Sequence, residues 1–75
     1  MIVAMRNNKH KTLERLIDRS EWNQAGVAML MGVSKAAVSR WVSGKRRPTE
    51  YRIANLARLL GSKPHIVART WEDET

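Results

Sequence analysis

Apolar residues recur at helical spacing in several short segments of this 75-residue chain. Around residues 10–20, an amphipathic helix is predicted by the apolar positions Leu13, Leu16 and Ile17. A later helix is predicted where positions i, i+3, i+4 and i+7 are Ile53, Leu56, Ala57 and Leu60. Pro64 suits the first turn of a short last helix that carries Ile66 and Val67, because the first turn leaves an N–H unpaired in any case. The pattern therefore predicts an all-helical chain.

Polar caps and glycines mark where the predicted helices begin and end. The predicted N-caps, whose side-chain oxygens can accept first-turn N–H groups, are Asn23, Ser34 and Thr49. The residues that allow a left-handed exit at the C-terminal ends are Gly32, Gly44 and Gly61. Two short helices joined by a tight corner at Gly32 are therefore predicted between residues 24 and 43.

Apolar side chains support this corner. Trp22 with Val27, and Val33 with Val38, have the spacing of a hydrophobic staple around the two caps. Val38 and Trp41 then give the second helix a narrow apolar stripe. We expect this stripe to face the core and the remaining positions of the helix to face outward.

The outward face of the second helix is polar. It carries Lys35, Ser39, Arg40 and Ser43 with alanines between them, and residues 44–48 follow as Gly-Lys-Arg-Arg-Pro. Two helices at a tight corner with a basic face are typical of the helix-turn-helix, which inserts its second helix into the major groove of DNA. The alternative is an ordinary helical hairpin in a small bundle.

The same segment resembles a known family. The residues that carry the resemblance are Gln24, Val27, Ala28, Met31, Gly32, Val33, Ser34, Val38, Ser39, Arg40, Trp41, Ser43, Gly44, Arg47 and Pro48. Over roughly residues 12–66 the chain resembles the phage repressor and Cro family, also called the XRE type. The resemblance implies a lambda repressor-like, all-α domain, a compact five-helix bundle that binds operator DNA as a dimer. Its third helix, here about Lys35–Val42, would be the recognition helix.

The charge balance agrees with a nucleic-acid partner. Lysine and arginine number 14 against 7 aspartates and glutamates, and three of the acids lie at residues 72–74. A strongly basic domain of this size most often binds a polyanion. The length predicts a single domain over residues 1–75, with residues 1–8 as a possible arm. Residues 70–75 are predicted to be a frayed acidic tail from which only Trp71 can dock on the domain.

Other function classes are not expected. There is no cysteine for a disulfide or a thiolate zinc site, and His10 and His65 lack partners at ligand spacing, so both are expected at the surface and no metal or other cofactor is expected. No stretch approaches the roughly 20 apolar residues of a membrane span, and residues 1–5 are too short for a signal peptide. No phosphate-binding glycine loop or activated nucleophile is present, so neither enzymatic activity nor a small-molecule substrate is expected. The resemblance implies a cytoplasmic, nucleoid-associated protein of a bacterial host.

The resemblance and the chemistry of the side chains predict two groups of DNA contacts. The base-reading group is Ser34, Lys35, Ala36, Ser39 and Arg40. The phosphate-binding group is Asn23, Gln24, Ser43, Lys45, Arg46 and Arg47. For each residue the alternative is a solvated surface side chain. A further possible arm along the duplex is formed by Arg6, Lys9 and Lys11.

Several apolar or small residues depart from the family pattern. Where the family usually exposes charge, this chain has Ala25, Gly26, Met29, Leu30 and Val42. A glycine inside a helix costs about 0.5–1 kcal/mol relative to alanine, so helix stability does not explain Gly26. Two explanations stay open for Met29 and Leu30. Either they are covered by Met1, Ile2, Val3 and Met5, or they form a patch that meets a second subunit or another protein.

The predicted function is that of a sequence-specific transcriptional regulator. The specific expectation is a Cro-like repressor of phage or prophage type, which binds a pseudo-palindromic operator in double-stranded DNA as a homodimer. The alternatives are a DNA-binding antitoxin, an excision-type accessory factor, or a protein-interaction module on the same scaffold. Retention on DNA at low salt and loss at moderate salt distinguishes a DNA-binding protein from an interaction module.

Overall fold

Helices account for most of residues 11–72, which are the residues that the computed structural model describes. Five α-helices and a closing 3-10 turn follow one another: α1 (Thr12–Arg19), α2 (Gln24–Met31), α3 (Lys35–Val42), α4 (Glu50–Leu59), α5 (Pro64–Val67) and the 3-10 turn Ala68–Trp71. No strand occurs in this range. The predicted all-α fold with five helices is confirmed, and none of the helices between residues 11 and 72 is long and apolar enough to cross a bilayer.

The three predicted N-caps are present. Asn23, Ser34 and Thr49 each accept a hydrogen bond from the backbone N–H three residues further on, at 2.8, 3.0 and 3.2 Å. Each bond satisfies one of the N–H groups that a helix leaves unpaired in its first turn. The sequence therefore determines locally where α2, α3 and α4 begin.

The corner between α2 and α3 is built on Gly32. Its φ is 71°, in the left-handed region that favours glycine. The N–H of Val33 donates to the carbonyl of Ala28 at 3.0 Å and the N–H of Gly32 donates to that of Met29 at 3.2 Å, which is the Schellman pattern. The predicted left-handed exit at Gly32 is confirmed, and it turns the chain directly into the cap of α3.

A single apolar core holds the five helices together. Its buried members are Leu13, Ile17, Val27, Ala28, Val38, Trp41, Ile53, Leu56, Ala57 and Val67. Val38 is fully buried and Trp41 is 4% exposed, so the predicted apolar stripe of α3 does face the core. Because these two positions fix the rotation of α3, the opposite face of the helix is presented to solvent.

The prediction of a frayed tail that begins at Thr70 is wrong. Thr70 is fully buried, and its Oγ1 accepts a hydrogen bond from the backbone N–H of Leu13 at 3.0 Å. The reason lies in α1, whose N-cap position is Lys11 and has no side-chain cap of its own. Thr70 supplies the missing acceptor from the other end of the domain.

Trp71 docks on the domain as the sequence allowed. It is half-buried, and its indole Nε1 donates to the backbone carbonyl of Trp41 at 2.9 Å. The end of α3 is therefore tied to the C-terminal turn. The proposed arm residues Arg6 and Lys9, the predicted surface residue His10, and residues 1–5 with their expected cover over α2 lie outside the described residues, whereas Lys11 is exposed.

Candidate nucleic-acid interface

The exposed face of α3 brings the predicted base-reading residues together. Ser34, Lys35, Ala36, Ser39 and Arg40 are all exposed. On a helix, positions 35 and 39 lie one turn apart, as do positions 36 and 40, so these four side chains share a face. The hydroxyl of Ser34 accepts from the N–H of residue 37 and thereby fixes the first turn. The result is a short, mostly polar helix surface that carries the two long cationic side chains of Lys35 and Arg40.

The basic loop after α3 folds back against the end of that helix. The backbone N–H groups of Lys45 and Arg46 donate to the carbonyl of Arg40 at 3.0 and 3.2 Å, and Gly44 has a φ of 83°. The Ser43 hydroxyl also donates to the Arg40 carbonyl, at 3.2 Å. These bonds place the exposed side chains of Lys45 and Arg46 directly beside the C-terminal end of α3.

Arg47 already has a partner within the chain. Its Nη2 donates to Oε2 of Glu50 at 2.6 Å, and both side chains are largely exposed (45% and 82%). An exposed ion pair of this kind contributes little to stability. The guanidinium keeps further N–H groups that can donate to a phosphate.

Arg52 lies beside the basic loop, and sequence reasoning missed it. An open cleft of about 350 Å³, which we call the basic cleft, is lined by Arg40, Arg46, Arg47 and Arg52, with Trp41 among its apolar walls. The sequence did hold a signal, because Arg52 lies in the first turn of the helix that the basic loop enters. The apolar stripe of that helix predicts only its buried face, so the pattern gives no role to Arg52.

Two acids lie at the opposite end of α3. A second open cleft, of about 490 Å³, is lined by Asn23, Gln24 and Lys35 together with Glu14 and Asp18 of α1. The N-terminal ends of α2 and α3 attract anions, whereas these two carboxylates repel them. Sequence reasoning missed this pair, even though its i, i+4 spacing on α1 places both acids on one side of that helix. The electrostatic attraction for phosphate is therefore greater at the basic loop.

The structure accounts for one of the departures from the family pattern, because Val42 is half-buried against the core. A Cβ placed on Gly26 would lie 3.5 Å from Cε3 of Trp22, which is an ordinary contact, so packing does not require glycine there. Met29 and Leu30 remain 79% and 53% exposed and have no such explanation.

Among residues 11–72 no group of three or more His, Asp or Glu side chains is placed to hold an ion. His65 is exposed, as predicted.

A polar helix face held outward by a buried stripe, with a glycine corner before it and a basic loop after it, defines a helix-turn-helix domain. Comparison with protein families agrees, since a family model described as helix-turn-helix matches residues 13–67. The chain belongs to this family, in its XRE type, and is a DNA-binding regulator. The comparisons with curated proteins and with solved structures found no match.

Proposed function

We propose that this protein is a sequence-specific repressor of the Cro-like kind, which binds a pseudo-palindromic operator as a homodimer and excludes RNA polymerase. One observation carries the proposal: α3 exposes Lys35, Ser39 and Arg40 on one face, while Val38 and Trp41 are buried behind them. A helix fixed in this way can enter the major groove without rearranging. The bacterial cytoplasm is the compartment in which such an operator would be met.

The side chains at the start of α3 determine the proposed base preference. Lys35 donates to O6 and N7 of a guanine, and Ala36 offers a methyl surface that suits the methyl group of thymine. Arg40, one turn further on, reaches either a second guanine or a phosphate. Ser34 and Ser39 add short hydroxyl contacts, since a hydroxyl donates to an acceptor or accepts from a donor on a base edge.

The proposed phosphate contacts lie on both sides of this helix. They are Asn23, Gln24, Ser43, Lys45, Arg46 and Arg47 from the sequence, joined by Arg52 from the geometry of the basic cleft. Contacts of this kind fix the register of the protein on the duplex without reading its sequence. Asn23 and Ser43 contribute least, because Asn23 also caps α2 and the Ser43 hydroxyl also donates to a backbone carbonyl.

Selection of bound sites from random DNA tests the proposal and yields the operator. On that operator, Lys35→Ala or Arg40→Ala should lower the affinity by about 1–3 kcal/mol and relax the preference at one or two base pairs. Arg15→Ala is the matched control, since Arg15 is exposed in the middle of α1 and lines neither the basic cleft nor the cleft beside Glu14 and Asp18. Equal losses on the operator and on random DNA would reassign Lys35 and Arg40 to the phosphates.

A protein-interaction module remains the second candidate, because Met29 and Leu30 are exposed on α2. Such a module has no need of the basic cleft. Binding to random DNA at low salt that falls steeply as salt rises favours the regulator. Binding that is absent at low salt favours the module.

A further inference from the structure

A groove lined by apolar residues and two arginines runs between α2 and α4, on the outer side of Met31 and Leu59, which pack against the buried core. The α2–α4 groove has a volume of about 460 Å³, and its apolar walls include Leu30, Met31, Tyr51 and Leu59. Leu30 is 53% exposed and Tyr51 is 77% exposed. Single exposed apolar residues are normal on a protein surface, whereas binding sites are concave and combine apolar residues with a few polar groups.

The rim of the α2–α4 groove is basic. Arg52 and Arg58 line it together with the uncharged Asn55, and no carboxylate of the described residues does so. A ligand that fills the apolar floor therefore also meets two guanidinium groups. Its complement is an apolar surface with Asp or Glu beside it.

We propose that the α2–α4 groove binds an amphipathic helix of another protein. Apolar residues one turn apart on that helix enter between Leu30 and Tyr51, as in other helix-in-groove complexes. Carboxylates on its flanks pair with Arg52 and Arg58. The partner is thus defined by its chemistry: a short acidic helix with one apolar stripe.

Two other occupants fit the groove less well. A second copy would bring its own Arg52 and Arg58 towards the same pair across a two-fold axis, and each chain carries a net charge of +7. The apolar segment formed by residues 1–5 holds no acid, so it would leave both arginines without a counter-charge. An acidic helix meets both requirements of the groove at once.

Arg52 links this groove to the candidate DNA interface. It lines the α2–α4 groove and also the basic cleft with Arg40, Arg46 and Arg47. A carboxylate bound to Arg52 competes with a DNA phosphate for the same guanidinium. If the proposed DNA contact is correct, the partner lowers the affinity for DNA, and DNA lowers the affinity for the partner by the same factor.

The test uses a displayed library of helical peptides, about 16 residues long so that the helix is stable. Each peptide carries Glu and Asp on the two flanks of one stripe of varied apolar residues. Peptides that bind the full chain are selected from the library. Recovered peptides should shift the amide resonances of α2 and α4. Leu30→Glu should weaken their binding by about tenfold or more, equivalent to 1.4 kcal/mol, and Arg58→Ala should also weaken it. Met29→Glu is the matched control: it adds the same charge at the neighbouring exposed position, which does not line the groove.

Three kinds of result would overturn the docking proposal. The first is that no peptide is recovered, or that Leu30→Glu and Met29→Glu bind the peptides equally well. The second is a dimer of the free chain in sedimentation that Leu30→Glu dissociates, which would assign the groove to a second copy. The third is a set of nuclear Overhauser effects from Ile2 or Val3 to Leu30 in the free chain. If Leu30→Glu does not fold by circular dichroism, Tyr51→Ala takes its place.

The coupling is tested separately with random-sequence DNA. Saturating peptide should lower the DNA affinity of the wild-type chain by about tenfold. In Arg52→Ala this effect of the peptide should disappear. A ternary complex with undiminished DNA affinity would refute the coupling. If the chain binds the peptide but does not bind DNA, the proposed function is refuted and the docking proposal for the α2–α4 groove is not.

Discussion

At the scale of single residues, Trp41 connects the core to the proposed DNA-binding surface. Its side chain is buried, and its carbonyl accepts hydrogen bonds from the N–H of Gly44 at 3.1 Å and from the indole of Trp71 at 2.9 Å. The carbonyls at the end of a helix have no partner within it, so these two donors satisfy one that would otherwise need water. Trp41 therefore sets both the rotation of α3 and the start of the basic loop.

Replacing Trp41 should destabilise the fold severely. Trp41→Ala should cost about 3–5 kcal/mol through the cavity that it leaves. In a domain of this size, such a loss approaches the whole free energy of unfolding. Urea denaturation measures the effect, with Trp22→Ala as the control because Trp22 is 39% exposed. Equal losses in the two variants would mean that α3 is rotated away from the register described here.

The ion pair of Arg47 gives a second prediction at this scale. Glu50→Gln should raise the affinity for DNA a few-fold, because it frees the guanidinium that Glu50 now holds at 2.6 Å. Removing any acid from a basic protein also raises its affinity for DNA through the net charge. Glu21→Gln, at another exposed acid, is therefore the control. Titration of random-sequence DNA at low salt measures both variants. An equal gain in the two would show that Arg47 does not contact phosphate.

At the scale of elements, the corner between α2 and α3 depends on backbone conformation alone. A Cβ on Gly32 would meet nothing within 4 Å, so the φ of 71° is the reason that glycine is needed. Gly32→Ala should cost about 1–2 kcal/mol, and Gly32→Asn should cost less, because asparagine tolerates the left-handed region. Thermal unfolding of the two variants measures this difference. An alanine variant as stable as the wild type would mean that the corner adopts another conformation.

Gly26 should behave in the opposite way. It lies inside α2, and a Cβ there would be in ordinary contact with Trp22 at 3.5 Å and only slightly close to the cap oxygen of Asn23 at 3.4 Å. Gly26→Ala should therefore stabilise the domain by about 0.5–1 kcal/mol. A loss of stability on thermal unfolding would mean that the indole of Trp22 cannot adjust to the added methyl group.

The elements also show why only part of the molecule could be predicted from the sequence. The caps, the corner and the stripe of α3 depend on residues a few positions apart, and all of them are present. The buried bond between Leu13 and Thr70 joins residues 57 positions apart, and no local pattern announces it. Arg52 was missed for a related reason, since its place in the basic cleft depends on how the loop and α4 fold back against α3.

At the scale of the whole molecule, the basic loop should contribute affinity without sequence preference. Replacing Lys45, Arg46 and Arg47 together with alanine should weaken operator and random DNA alike. The plot of log K against log salt should flatten by about one unit for each phosphate that the variant no longer binds. An unchanged slope in the triple variant would leave these residues without a role at the phosphates.

The proposed dimer leads to a test of spacing. A single recognition helix covers few base pairs, so useful specificity against a genome requires two copies on half-sites about 34 Å apart. The family resemblance favours contacts from residues 59–71. Within that stretch Trp71 is already engaged by Trp41, which leaves exposed residues such as Lys63, Pro64 and His65. Inserting five base pairs between the half-sites turns one of them to the far side of the duplex and should abolish cooperative binding. A one-to-one complex on the full operator, measured by sedimentation, would contradict the dimer.

The two hydrogen bonds of the C-terminal turn have a consequence for protein synthesis. Leu13 bonds to Thr70 and Trp41 bonds to Trp71, so neither bond can form until residues 70 and 71 have left the ribosomal exit tunnel. A chain whose translation stops before Thr70 lacks the acceptor for the first turn of α1 and the indole donor at the end of α3. The buried N–H of Leu13 is then unpaired, which costs about 1–3 kcal/mol. Such a fragment should therefore unfold more often, and be cleaved by proteases more readily, than a chain that includes the C-terminal turn.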